Sequence, residues 1–370
     1  MTILIGILGL GFLVFFHEAG HFFAARIFGV KVEAFSVGMG PVLLHHKFKE
    51  TDYRLSLIPL GGYCAMKGEK DFQNAIEDNL KEISGEPDSF YGVHPFKRLL
   101  IAFAGPFFNF IFGFLACTII AMMGYTYYSA GTTVSMADEI YENIKSVAHS
   151  SGMQSGDTIL SINSKEMEDF SQIAMFVSTH PDEDLDFEIK RGEEIFHIQV
   201  HSDLDKESGA GKVGIVSSQE SVVERQYPKH SFFPAIAEGF SQSINLINLT
   251  FKGIGTLFKG VKITSSVSGP VRISSMLGNT IKEGFSLGFH QGIVSTLELL
   301  AIISISLFIT NLLPVPVLDG GLILFALIEC ITRKKLHPKF LYYIQFAGIA
   351  ILAVLFIFAI TGDFLYFFKK

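Results

Sequence analysis

Cysteine, basic charge and charge of either sign are all scarce in this chain of 370 residues. The three cysteines, Cys64, Cys117 and Cys330, are odd in number and far apart, and no C-x-x-C exists. A disulfide framework and a cysteine zinc site are therefore both unsupported, and Cys117, inside an apolar run, reads as a packing residue. There is no basic excess. The formal net charge is -7 and the pI about 5.9, which removes the basic face that nucleic-acid binding would need. The first residues lack the basic n-region of a signal peptide, and a cleavage near Ala24-Ala25 would fall just after the most informative motif of the chain. Residues 1–28 are accordingly read as mature protein. Charged residues make up 18% against 49% hydrophobic, with mean hydropathy +0.40, so membrane segments are expected in a chain long enough for two or three compact units.

Four runs are long and apolar enough to span a bilayer: residues 3–28, 99–125, about 293–317 and 341–361. The short connection 321–340 carries Arg333, Lys334, Lys335 and Lys339 against Glu329. The positive-inside rule puts it in the cytoplasm, which places both termini and the long 126–292 region outside. Lys369 and Lys370 mildly oppose that orientation.

The first run contains His17-Glu18-Ala19-Gly20-His21, a complete H-E-x-x-H. On a helix, His17 and His21 fall one turn apart on one face, as two zinc-ligating imidazoles require. Glu18 lies beside them, where a carboxylate can take a proton from a water on the metal. Three ionisable residues in a membrane-like segment are costly and need a reason. The competing reading is a chance match with satisfied core histidines. Catalytic zinc needs a third protein ligand, and the candidate is Asp319, in Asn311-Leu-Leu-Pro314-Val-Pro316-Val-Leu-Asp319-Gly320-Gly321. Two prolines break the third span near its end, and irregular backbone at that depth is tolerated where it lines a cavity or site. A helix-ending carboxylate at the membrane boundary is the plainer alternative. Topology offers a check. His17 lies about 25 Å along a first span running outside to inside, at 1.5 Å per residue. The third span runs the same way and ends at Asp319, so both fall in the cytoplasmic half. The other histidines, His45-His46 and His290 among them, show no ligand pattern and read as surface or structural.

Residues 30–48 and 53–66 read as two strands interrupted at Gly38, Gly40 and Pro41, a β-hairpin dipping toward the membrane. Residues 69–92 are acid-rich and read as a surface loop. Residues 130–217 carry a turn, Gly156-Asp157, a short apolar strand, a helix-like stretch and two alternating strands, which resembles a single PDZ domain. Such domains bind an extended peptide at a sheet edge. Across residues 232–262, Phe240, Ile244, Ile247, Phe251, Ile254, Phe258 and Val261 recur at helical spacing, with Lys252, Lys259 and Lys262 on the polar side. This reads as an amphipathic helix on the membrane surface, or one packed on the soluble domain.

The expected architecture is a polytopic α-helical membrane protein with four transmembrane helices, a membrane-associated β-hairpin and an inserted extracytoplasmic α+β PDZ domain. Its parts are residues 1–125 (zinc-binding helix, hairpin and second span), 126–220 (PDZ), 221–292 (amphipathic linker helices) and 293–370 (third and fourth spans). Together, HEAGH at 17–21, VGMGP at 37–41, RLLIAFAGPFFN at 98–109, SGPVRI at 268–273 and NLLPVPVLDGG at 311–321 resemble the site-2 protease family of intramembrane metalloproteases, over nearly the whole chain. The nearest branch is the bacterial regulator of sigma-E protease, though with one PDZ domain where that branch is often described with two. The resemblance implies one Zn2+ per chain held by His17, His21 and Asp319, with Glu18 as general base. It implies a multi-pass protein of the bacterial inner membrane. Its substrates would be single-pass membrane proteins pre-cut by another protease, such as an anti-sigma factor or signal-peptide remnants. Asn311, Asn109, Gly38 and Gly40 are candidate substrate-binding positions, and either asparagine could equally bond between helices. The PDZ-like domain would exclude bulky outer domains or hold a peptide ligand. A zinc transporter, and a non-catalytic PDZ membrane scaffold, are the rival readings.

Overall fold

The computed structural model describes residues 2–218, 222–262 and 268–368; Lys369 and Lys370 lie outside them. The chain packs as two units. One comprises Met1–Met123, His230–Thr250 and Ser268–Lys370, and the other Gly124–Lys229 with the described part of Phe251–Val267. The second is wider than the expected 126–220 because the strand partner of its first strand comes after residue 220.

In the first unit, α1 (Thr2–Ile27) leads into β1 (Val32–Phe48), β2 (Thr51–Met66), α2 (Glu69–Glu77) and α3 (Pro95–Met123). Among the described residues, four helices are long and apolar enough to cross a membrane: α1, α3, the helix Phe289–Asn311 and the helix beginning at Pro338. The third ends at Asn311, six residues short of the expected 317. Pro314 and Pro316 cannot continue it, and residues 312–318 turn instead through short backbone bonds such as Val315 N–H to the Leu313 carbonyl.

The expected hairpin is a folded-back sheet. Residues 32–37 pair on one side with 62–66 and on the other with the start of β2, which in turn pairs with 42–48. Four antiparallel segments therefore lie in the order 62–66, 32–37, 51–56, 42–48. Bends at Gly38, Gly40 and Gly61, all at positive φ, turn each long strand back on the sheet. At Gly38 a Cβ would meet the Ser56 and Ile58 carbonyl oxygens at 2.8 and 2.9 Å.

Residues 69–92 are not simply a surface loop. Phe72 and Ala75 recur at helical spacing in α2, and Ala75 and Ile83 are buried with Phe325 and Leu341. Phe72, Ala75, Ile83 and Tyr91, four largely apolar side chains in an acidic stretch, are enough to dock it.

The second unit runs β3 (Tyr125–Ala130), β4 (Val134–Met136), two short helical turns α4 (Ala137–Ile140) and α5 (Val147–Ser150), β5 (Thr158–Ile162), β6 (Lys165–Glu166), α6 (Phe170–Ser178), β7 (Glu183–Arg191), β8 (Glu194–Leu204), β9 (Gly211–Lys212), β10 (Ile215–Ser217) and β11 (Val222–Tyr227). The main sheet has the order β6-β5-β7-β8-β9, with β10 on β4 and β11 on β3 as separate pairs. Its core gathers Ile159, Ile162, Leu185, Phe187, Ile189 and Val200, inward positions of the strands, with Ile173 of α6 packed among them. Gly156 takes a positive φ, and Asp157 behind it is buried. Asp157 accepts the Gln154 N–H at 2.8 Å and both Nε and Nη2 of Arg191 at 2.7 Å.

The chain closes with α7 (Phe232–Leu257), α8 (Pro270–Ser286), α9 (Phe289–Asn311), α10 (Asp319–Thr332) and α11 (Pro338–Phe368). On α7 the buried side is the one with small residues. Gly239 lies against Thr118 of α3, and Ser243 is buried, while Phe240, Ile244 and Phe251 of the large stripe stay exposed.

Candidate active site

The His17–His21 helix is pinned to α3 by small residues. A Cβ at Gly20 would lie 2.3 Å from the Ala104 carbonyl oxygen. A Cβ at Gly105 would lie 2.2 Å from His21 Nε2. Glycine at both positions lets backbone and imidazole approach more closely than any side chain permits. Pro106, inside α3, withholds an N–H, and its ring crowds the preceding turn. In that turn the Ile101 carbonyl accepts a hydrogen bond from His21 Nδ1 at 2.8 Å. A carbonyl oxygen only accepts, so the His21 proton sits on Nδ1 and Nε2 keeps its lone pair. Asn109, two turns further along α3 and fully buried, has its amide 3.1 Å from His17 Nδ1.

Asp319 is the first residue of α10. The preceding turn is packed so closely that a Cβ at Gly320 would meet the Leu313 oxygen at 2.2 Å and one at Gly321 the Val315 oxygen at 2.4 Å. The Gly-Gly pair thus lets the helix start fold back on the proline-rich turn. This brings the carboxylate to both imidazoles, with Oδ2 at 3.1 Å from His17 Nε2 and Oδ1 at 3.3 Å from His21 Nε2. The two Nε2 atoms are 3.2 Å apart. His21 is buried, and the side chains of His17 and Asp319 are only 11% and 15% exposed.

These three separations test the fit to a metal. A tetrahedral zinc with bonds of about 2.05 Å holds its ligand atoms about 3.3 Å from one another. The Nε2–Nε2 distance of 3.2 Å matches one edge of that tetrahedron, and the carboxylate spans the two imidazoles, with Oδ2 3.1 Å from one Nε2 and Oδ1 3.3 Å from the other. Two imidazoles and a carboxylate are also a donor set that zinc takes in catalytic sites. Among the described residues this is the one cluster of three or more such side chains that could hold a metal.

Glu18 stands on α1 beside the triad. The sheet segment 62–66 passes it: the Cys64 backbone N–H reaches its carboxylate, and a Cβ at Gly62 would lie 3.4 Å from its Cγ. The Cys64 thiol lies outside the cluster of His17, His21 and Asp319, and burial pushes it up to about 12.

The other expected positions fall differently. Residue 37 pairs on both sides, with Gly62 and Leu55, while residues 42–48 that follow the bend pair on one side only and form an edge of the sheet. Gly38 and Gly40 are the bend that follows it. Asn311 is the last residue of α9, partly buried. Asn109 faces a candidate metal ligand. Missed altogether were the Ile101 carbonyl, which carries no side-chain signature, and Gly105, whose signal was the Ala-Gly-Pro run one turn before Asn109.

Comparison with known proteins gives the family. A model of the family described as Peptidase family M50 matches residues 5–355. A protein of Treponema pallidum (strain Nichols) named as a zinc metalloprotease is 35% identical, over 98% of both chains. One of Campylobacter jejuni so named is 36% identical over 96% of this chain and 91% of its own. A third, from Clostridium perfringens, is 30% identical over 99% of each.

Proposed function

The chain belongs to Peptidase family M50, a zinc metalloprotease of the site-2 type in a membrane, and we propose that it hydrolyses a peptide bond inside the transmembrane segment of a pre-cut, single-pass membrane protein. The observation that carries this reading is the convergence of His17, His21 and Asp319 to 3.1–3.3 Å from one another, on one membrane-spanning helix and at the start of α10, with Glu18 beside them. A protease site inside spanning segments serves a substrate that is itself in the bilayer.

His17, His21 and Asp319 hold the zinc. When bound, zinc supplies Lewis acidity, which polarises the scissile carbonyl and acidifies water. Glu18 takes the proton of the attacking water and delivers it to the leaving nitrogen. A helical substrate hides its carbonyls in its own hydrogen bonds, so it must be extended first. The sheet edge at residues 62–64, beside Glu18, is placed to pair with the extended stretch as an added strand. Asn311 and the bend at Gly38 and Gly40 shape the surroundings of that strand.

The basic 321–340 connection supports a cytoplasmic-side site, with the second unit outside and α7 lying its exposed phenylalanines on the membrane surface. The bacterial inner membrane is the setting that fits. The second unit is read as the PDZ domain. A cavity of about 510 Å³ there, between α6 and the β9–β10 stretch, is lined by Ile173, Val177, Val213 and Ile215 and suits an extended apolar peptide. Substrate selection by this domain distinguishes the protease from a zinc transporter, which has no use for Glu18.

The test is cleavage of a tagged transmembrane substrate by purified full-length protein, with zinc measured alongside. Glu18→Gln is expected to keep zinc and lose cleavage, and chelation to remove both. Wild-type protein that binds zinc but cleaves no more than Glu18→Gln across several substrates would sink the reading.

A further inference from the structure

The structure assigns a further role to Asn109: we propose that it is a positioning residue whose amide oxygen accepts the Nδ1–H of His17 and so commits His17 Nε2 to the metal. The proposal rests on the reading of His17, His21 and Asp319 as the zinc site.

The two histidines are held differently. His21 is fixed by a backbone carbonyl, which permits one tautomer only. The His17 partner is an amide, which can present either a donor or an acceptor. Asn109 is fully buried, its Nδ2 lies 3.1 Å from His17 Nδ1, and its Oδ1 is buried with no hydrogen-bond partner. In that orientation the amide N–H donates to the Nδ1 lone pair. The His17 proton then sits on Nε2 and donates to Asp319 Oδ2 at 3.1 Å.

With Nε2 given to a metal, the proton must move to Nδ1, and two N–H groups would face each other. Turning the amide by a half-rotation exchanges its ends and puts Oδ1 where Nδ1–H can donate to it. The other end of the amide faces no partner in the present orientation, so the His17 tautomer decides which end points inward. Metal-bound histidines take such an acceptor on their second nitrogen, and losing it weakens metal binding about 10–100-fold. On this account α3 orients both imidazoles, through one backbone carbonyl and one side chain.

The experiment is zinc affinity, by competition with chelators of known strength, on detergent-solubilised full-length protein. It needs no substrate. Asn109→Leu, similar in size but without an acceptor, is expected to bind zinc about 10–100-fold more weakly. Asn109→Asp, which can only accept, is expected to bind at least as tightly as wild type. Thermal melting of the zinc-free proteins separates misfolding from loss of the acceptor, and the return of affinity in Asn109→Asp is the readout that a packing role would not give. Wild-type affinity in a folded Asn109→Leu overturns the proposal. So does equal weakening in both variants. His17→Ala is the control for the underlying site: zinc binding unaffected by that change would overturn the site itself, whatever Asn109 does.

Discussion

Gly105 stands against His21 so closely that a methyl group there would lie 2.2 Å from Nε2, the atom that faces Asp319. Two helices meet at this point, and the room the imidazole occupies is room that α3 leaves by having no side chain. Gly105→Ala is therefore expected to displace His21 and cut zinc affinity by at least about tenfold, on the scale of lost ligand orientation. Metal content after dialysis against a weak chelator checks it. Full zinc occupancy in Gly105→Ala would show that His21 has slack the structure does not give it.

The start of α3 is tied to the end of α10 by a buried ion pair between Arg98 and Glu329, whose other oxygen accepts the Leu336 N–H at 2.9 Å. Both side chains are under a tenth exposed. Removing one partner strands a buried charge, so Arg98→Met or Glu329→Leu alone should cost about 3–5 kcal/mol, and the double change should recover most of it. Chemical unfolding in detergent micelles measures all three. A double variant as unstable as the sum of the singles would contradict this account.

Asp157 is expected to anchor the second unit. Its carboxylate is buried and closes a turn against Arg191. Arg191 is about one-third exposed, which discounts the pair, and Asp157→Ala should lower stability by about 2–3 kcal/mol. Limited proteolysis should then cut within residues 130–217 while leaving zinc content unchanged.

Gly38 tests the sheet. It sits at φ +87 with two carbonyl oxygens where a Cβ would go. Gly38→Ala should cost about 1–3 kcal/mol of local strain and lower cleavage with zinc affinity intact. A variant that cleaves at the wild-type rate would remove the bend from any part in substrate handling.

The chemistry was more legible than its support. His17, Glu18 and His21 announce themselves by spacing, and Asp319 by the prolines and glycines around it. The four spans follow from hydropathy alone. The register of the sheet was not legible. Its glycines signal bends, but only the three-dimensional path shows that residues 32–37 are covered on both sides. Asn109 was read as either a substrate-binding position or an interhelical hydrogen-bonding residue, and its meeting with His17 depends on how α1 crosses α3. Backbone partners such as the Ile101 carbonyl leave no trace in residue identity. The 69–92 segment was misjudged for a simpler reason: its charge outweighed four apolar residues that suffice for docking.

His17 and Asp319 are about 300 positions apart in the chain yet share one site. At synthesis rates of about 5–20 residues per second, about 15–60 seconds separate their emergence from the ribosome. During that interval the first helix is already in the bilayer with two histidines and no carboxylate to complete them. The three candidate ligands are therefore complete only once translation has passed Asp319, so the site closes near the end of synthesis, not at its start.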